Sequence, residues 1–225
     1  VYTVDLLGCG RSDKSSITYT NFVYVQMISD FIKKIIGQKT DVIASGFSGS
    51  FVTMACHNEK ELFNKIMLVN PPGLTQLKQM PNRKDRLLKA ALEIPIFGTL
   101  VYHMIVSRAN INNLFIEKMY YNPFHVDNQM SDAYYEAAHK GGYYTRFLYS
   151  SLAAKYMNIN ICHALKALDN SIYIVEGETE PNGKAVTDDY CASNPAIEVS
   201  VLKETKHLPH VEAPEAFLEQ VKIFF

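Results

Sequence analysis

Five consecutive residues, Gly46-Phe47-Ser48-Gly49-Ser50, have the types and spacing of a turn that presents a serine hydroxyl as a nucleophile. They follow a short apolar run, Val42 to Ala44, and precede a stretch that reads as helix. A sharp strand-to-helix turn exposes the hydroxyl, brings it close to a base, and lines up backbone N–H groups that hold a developing oxyanion. Small residues two positions either side of the serine let the strand and helix cross closely. Gly46 fills one of these positions, and Ser50 fills the other, where glycine is the commoner residue. Alone, the pattern is equally that of an ordinary Gly/Ser turn.

Two further segments carry the other groups that this chemistry needs. Lys206-His207-Leu208-Pro209-His210-Val211-Glu212-Ala213-Pro214-Glu215 follows an alternating apolar run (Ile197, Val199, Val201) and precedes a final amphipathic helix. Between the two, Ser171 to Val175 reads as a strand and ends in Glu176-Gly177-Glu178-Thr179-Glu180-Pro181, a turn rich in carboxylates. The chain order is therefore serine, acid, histidine. On that order the chain resembles the α/β-hydrolase family over nearly all of its length. Val4 to Ser12 is similar to the DLxGxGxS segment after the family's fourth strand, and Lys65 to Pro71 to its sixth strand. His207 to Glu215 resembles the HxPHxExPE run around the family's catalytic histidine.

The resemblance implies roles. Ser48, at the centre of the motif, would be the nucleophile, with Ser45 and Ser50 only flanking it. His207 would be the general base, and His210, three residues later, is its competitor. Glu180 stands three residues after Gly177, where the family usually has aspartate, and would orient the imidazole. Glu178, Asp188 and Asp189 remain alternatives. Asn70 lies where some relatives place the acid, but an amide carries no charge to stabilise an imidazolium. Gly49 N–H is the one oxyanion donor that can be named, since the family's second donor lies in a loop after its third strand. Serine acyl transfer requires no cofactor, and clustered metal ligands are absent from the sequence. The implied activity is carboxylesterase-like, on a small ester or related acyl compound. A catalytically weak or inactive binding or signalling protein on the same fold is the alternative, kept open by Ser50, Lys206 and Glu180.

The positioning elements read as alternating strands and helices, an α/β architecture with a mostly parallel sheet covered on both faces. Strands are expected at Val1 to Leu6, Asp41 to Ser45 and Lys65 to Val69, with helices at about Asn21 to Ile36 and Gly49 to Asn58. From about 74 to 168 the pattern is helical and resembles the family's cap, leaving 1–73 and 169–225 as the hydrolase core. Nine of the fourteen tyrosines fall in that insertion, which points to an apolar or aromatic substrate group. Ile94 to Val106 is strongly apolar and follows Arg83, Lys84, Arg86 and Lys89, a combination that can mark lipid contact. It is too short to span a bilayer, so a buried cap helix is the expected reading and membrane contact is not expected.

The family's first three strands have no counterpart ahead of Val1. The third would lie between the fourth and the fifth, so Val1 to Leu6 would lack a partner beside the elbow strand. This predicts either a longer protein or another segment in the gap.

Composition sets the remaining bounds. A chain of 225 residues, 48% hydrophobic and 20% charged, can bury one sizeable core. A formal charge of −1 without a long basic run argues against nucleic acid and leaves a small molecule as the expected partner. Cys9, Cys56, Cys162 and Cys191 are scattered without metal spacing, which points to separate thiols and a reducing cytoplasm. Gly8-Cys9-Gly10 has the start of a dinucleotide-binding loop, but that fingerprint needs glycine or alanine at Asp13 and an immediate helix. Neither condition is met.

Overall fold

The computed structural model describes residues 1–225. Its centre is a parallel sheet of four strands in the order β1 (Thr40–Ser45), β2 (Phe63–Val69), β3 (Ile172–Gly177), β4 (Glu198–Leu202). The two middle strands are near-continuous apolar runs, as burial on both faces requires. Their side chains alternate between two cores. Ile66, Leu68, Ile172 and Ile174 join Phe51, Tyr24 and Leu165 on one face, while Met67, Val69, Tyr173 and Val175 join Leu202 and Phe217 on the other.

The first core is closed by α1 (Asn21–Phe31, continued by a π turn Ile32–Ile36) and α2 (Ser48–Asn58). Between β2 and β3 every element is helical: α3 (Leu74–Leu77), α4 (Arg83–Glu93), α5 (Pro95–Ile105), α6 (Arg108–Leu114), α7 (Asn128–His139), α8 (Thr145–Ala153) and α9 (Cys162–Ala167). Leu74, Leu77, Met157, Ile161 and Leu165, at the two ends of this insertion, belong to the first core together with the sheet. The chain ends with α10 (Gly183–Ser193), α11 (Pro209–Glu212) and α12 (Pro214–Phe224), the last supplying Phe217 to the second core.

Two expectations are corrected. Val1 to Leu6 forms no strand, and β1 is an edge strand. A strand exists only against a partner, and this segment lies instead beside α1, where Tyr2 meets Phe31 edge-on at 6.1 Å and Leu7 O accepts from the Tyr24 hydroxyl. The apolar helix α5 is not buried: most of its large side chains are exposed.

In register, Ser45 lies beside Val69, Val69 beside Val175, and Gly177 beside Leu202. The loops after β1, β2, β3 and β4 therefore leave the sheet along one carboxyl edge, the usual location of sites in open α/β sheets. Packing there is close. A Cβ on Gly177 would lie 1.9 Å from the Lys206 carbonyl oxygen, so Gly177→Ala forces the histidine loop away. The variant is expected to lose about 1–3 kcal/mol of stability in urea unfolding, the usual cost of overpacking.

Candidate active site

The turn after β1 is made by Gly46, whose φ of +57° is a left-handed conformation that side chains rarely adopt. Helix α2 begins directly at Ser48, and Phe47 already has helical angles (φ −60°, ψ −31°). The close approach to the sheet is at Gly49, which is buried and where a Cβ would lie 3.1 Å from Leu68, whereas a Cβ at Gly46 would meet nothing within 4 Å, so Gly46 serves the turn by its left-handed backbone and not by a tight crossing. Ser50 is fully buried, its hydroxyl donating to Phe47 O at 2.7 Å, which removes it as a nucleophile. Ser48 is partly exposed, and its hydroxyl donates to Ser45 O at 2.8 Å. Gly49 N–H donates to Gly46 O at 3.1 Å.

Glu180 and His207 meet. His207 Nδ1 lies 3.1 and 3.2 Å from the two carboxylate oxygens of Glu180, with both side chains part-buried. Glu180 is placed by a tight turn in which its N–H donates to Gly177 O and its carbonyl accepts from Gly183 N–H. The other carboxylates are elsewhere: Glu178 accepts from Glu204 N–H, and Asp188 and Asp189 are exposed on α10. His210 has no carboxylate partner. Its Nδ1 is buried without a hydrogen bond and its ring packs on Phe217, and burial, reinforced by the nearby His207, holds its pKa below the ordinary histidine value. No hydrogen bond joins Ser48 to His207, and His207 Nε2 makes none at all. The structure thus unites His207 with Glu180 and leaves the Ser48 hydroxyl on its own strand.

Asn70, unable to serve as the acid, and Glu212, a member of the HxPHxExPE run, fix the histidine loop. Asn70, at φ +42° just beyond β2, is buried, and its amide nitrogen donates to Lys206 O at 2.8 Å and His207 O at 3.0 Å. Its amide oxygen accepts from Gly177 N–H at 3.0 Å. Two acceptors on one side and one donor on the other leave a single orientation for the amide. Glu212 accepts from Lys206 N–H at 2.8 Å with one oxygen and from Tyr121 N–H at 2.6 Å with the other. His207 N–H donates to Met119 O at 3.1 Å. His207 is therefore tied to the helical insertion as well as to the sheet. The sequence signal for Glu212 was its place in the HxPHxExPE run; for Asn70 it was only a polar residue ending an apolar strand.

A model of the alpha/beta hydrolase family matches residues 1–220. The chain belongs to the alpha/beta hydrolase family. A serine hydrolase involved in carbazole degradation superposes with a TM-score of 0.74 at 16% identity, over 98% of this chain and 76% of that one. The 2-hydroxy-6-oxo-6-phenylhexa-2,4-dienoate hydrolase of Rhodococcus sp. strain RHA1 gives 0.74 at 16% identity, over 98% and 78%. An esterase from Exiguobacterium antarcticum gives 0.71 at 13% identity, over 96% and 78%. At such identities the likeness is one of fold. No curated protein sequence matches this hydrolase.

A shallow, open surface depression of about 530 Å³ runs along α1, lined by Val23, Met27, Phe31 and Ile35 among others, and includes none of the site residues. Cys56 is buried, which pushes its thiol pKa up to about 12 and removes it as a nucleophile. All four cysteines are free thiols, and no group of ligands could hold a metal ion. No single helix is long and apolar enough to cross a membrane.

Asn70→Ala leaves Gly177 N–H and two carbonyls unpaired and should cost about 3 kcal/mol in urea unfolding. Asn70→Asp, nearly isosteric, should be no better at neutral pH, because a carboxylate cannot donate to the two carbonyls. Glu176, buried at the end of β3 against Gly183, has its pKa raised first by burial and then by the nearby charge of Glu180, with a Thr187 hydrogen bond opposing. Between the ordinary glutamate value and that raised value the folded state binds more protons than the unfolded, so stability falls as pH rises through the window. Glu176→Gln removes this contribution. Its Tm relative to the parent protein should therefore be higher at pH 7.5 than at pH 4, and an equal difference at both would contradict the assignment.

Proposed function

We propose that this chain is a serine hydrolase that cleaves a small ester or related acyl compound through an acyl-enzyme on Ser48. The observation that carries the reading is the Glu180–His207 pair at 3.1 Å, with an unengaged Nε2, on the sheet edge from which the Ser48 turn also emerges. Substrate binding turns the Ser48 hydroxyl from Ser45 O toward Nε2. The Ser48 oxygen then bonds to the acyl carbon as its proton passes to Nε2, and Glu180 stabilises the imidazolium through Nδ1–H. The carbonyl π electrons move onto oxygen, where Gly49 N–H at the start of α2 becomes a donor in place of its bond to Gly46 O. Collapse of this intermediate breaks the bond to the leaving alkoxide, which takes the proton from Nε2. Water repeats the sequence on the acyl-enzyme, yielding the acid and free Ser48. No external group is consumed beyond water.

A second reading is favoured by two observations. The Ser48 hydroxyl and Gly49 N–H are both engaged by backbone carbonyls, and Ser48 sits at a helix start without left-handed φ. A protein that binds an acyl compound without turning it over would have these features. The structural neighbours' names include both an esterase and a dienoate hydrolase, so the fold leaves the scissile bond open, and a p-nitrophenyl ester chain-length series is the first substrate panel to run.

A fluorophosphonate probe separates the two readings. Labelling that disappears in Ser48→Ala supports the hydrolase, and a folded protein that takes no label supports the binding protein. In the hydrolase, His207→Ala should lower kcat by about 10²- to 10⁴-fold. Glu180→Ala and Glu180→Gln should both lose turnover, and full activity in both would remove Glu180 from the mechanism.

A further inference from the structure

Helices α4 and α5, each of 11 residues, form a V bent by 97° at Ile94-Pro95. The inner side of the V is well anchored. Asp85 closes a capping box with Asn82 and bonds Lys155, Lys89 pairs with Glu93, and Tyr102 donates to Ala138 O at 2.7 Å. The outer side has no partner. Ile96 (86% exposed), Leu100 (60%) and Met104 (64%) repeat at every fourth residue and form one stripe along α5, with Phe97 exposed beside the bend; on α4, Leu87 (71%) is exposed as well. Single exposed apolar residues are ordinary, but a contiguous stripe marks a surface that is covered in use.

The charges beside the stripe select what covers it. Arg83, Lys84 and Arg86 are exposed on α4 and take part in no ion pair, and from Ile94 to Ile116 the chain has no aspartate or glutamate. A second copy of this chain packed on the same patch about a two-fold axis would bring like charges toward one another. An anionic lipid surface satisfies both features: apolar side chains enter the acyl boundary while arginine and lysine meet the headgroups. An 11-residue helix is about 16 Å long against a hydrocarbon core of about 30 Å, so neither limb spans the bilayer and the V lies in the interface.

We propose that the outer face of the α4–α5 hairpin is a docking surface for anionic phospholipid membranes, with Ile96, Phe97, Leu100 and Met104 entering the bilayer and Arg83, Lys84 and Arg86 contacting phosphates. The docking does not depend on the acyl chemistry at Ser48.

The test is co-sedimentation of the whole chain with phosphatidylcholine vesicles, with and without phosphatidylglycerol, at low and high salt. The protein should partition onto the anionic vesicles, and high salt should weaken the binding. Combining Arg83→Ala, Lys84→Ala and Arg86→Ala should reduce partitioning on the order of 100-fold, at about fivefold per basic residue. Ile96→Asp with Phe97→Asp should abolish it while circular dichroism stays unchanged. Because the chain has no tryptophan, Phe97→Trp adds a single reporter, whose emission should shift to the blue on adding anionic vesicles. Failure of the parent protein to bind anionic vesicles at low salt, or an unshifted indole, would overturn the proposal. Unchanged partitioning of the basic triple variant would also overturn it. A dimer that dissociates in Ile96→Asp, without any vesicle binding, would assign the face to a second copy instead.

Discussion

The side-chain amide of Asn70 is the constraint on which the candidate site depends. It is the only side chain that hydrogen-bonds both the end of β3, through Gly177 N–H, and the histidine loop, through the carbonyls of Lys206 and His207. Glu180 lies three residues beyond Gly177, so fixing those groups fixes the distance between the carboxylate and the imidazole. The amide that makes all three bonds belongs to a buried residue, where an unpaired polar group is costly, and this gives the arrangement its definition. The parallel sheet supplies the rest, because its register ends each strand at the same level.

The histidine loop is held from the other side by the helical insertion. Glu212 bridges Lys206 N–H and Tyr121 N–H, Met119 O receives His207 N–H, and Leu208 packs with Ile111, Phe115 and Tyr120. Any shift of the segment from Phe115 to Tyr121 is therefore transmitted to His207. Substrate entering between the insertion and the sheet would act on both His207 and the Ser48 turn, which provides a physical route for the hydroxyl to leave Ser45 O. Glu180 and His207 are paired, and the Ser48 hydroxyl is satisfied by Ser45 O.

The strands β1, β2 and β3 and the helices around them were legible because apolar runs broken by Gly and Pro report burial directly, as in Lys65 to Val69 before Pro71-Pro72-Gly73. The pairing of His207 with Glu180 was legible only through the family resemblance, since nothing in residue spacing relates positions in two separate loops. Three features were not legible. Val1 to Leu6 has strand composition, but a ladder needs a neighbour, and a local pattern cannot supply one. The apolarity of α5 was read as burial, although composition is the same for a helix that faces a core and one that faces lipid. Asn70 was weighed only as a missing acid, because a clamp is defined by three backbone partners that no sequence pattern displays.

In the proposed mechanism Ser48 joins the Glu180–His207 pair when an acyl group is bound. The decisive measurement is a crystal structure of the full chain after reaction with a fluorophosphonate. The expected result is phosphorus on the Ser48 oxygen, His207 Nε2 within about 3.2 Å of that oxygen or of the leaving-group position, and Nδ1 still on Glu180. An adduct on another residue, or one on Ser48 with the imidazole out of hydrogen-bond reach, would contradict it.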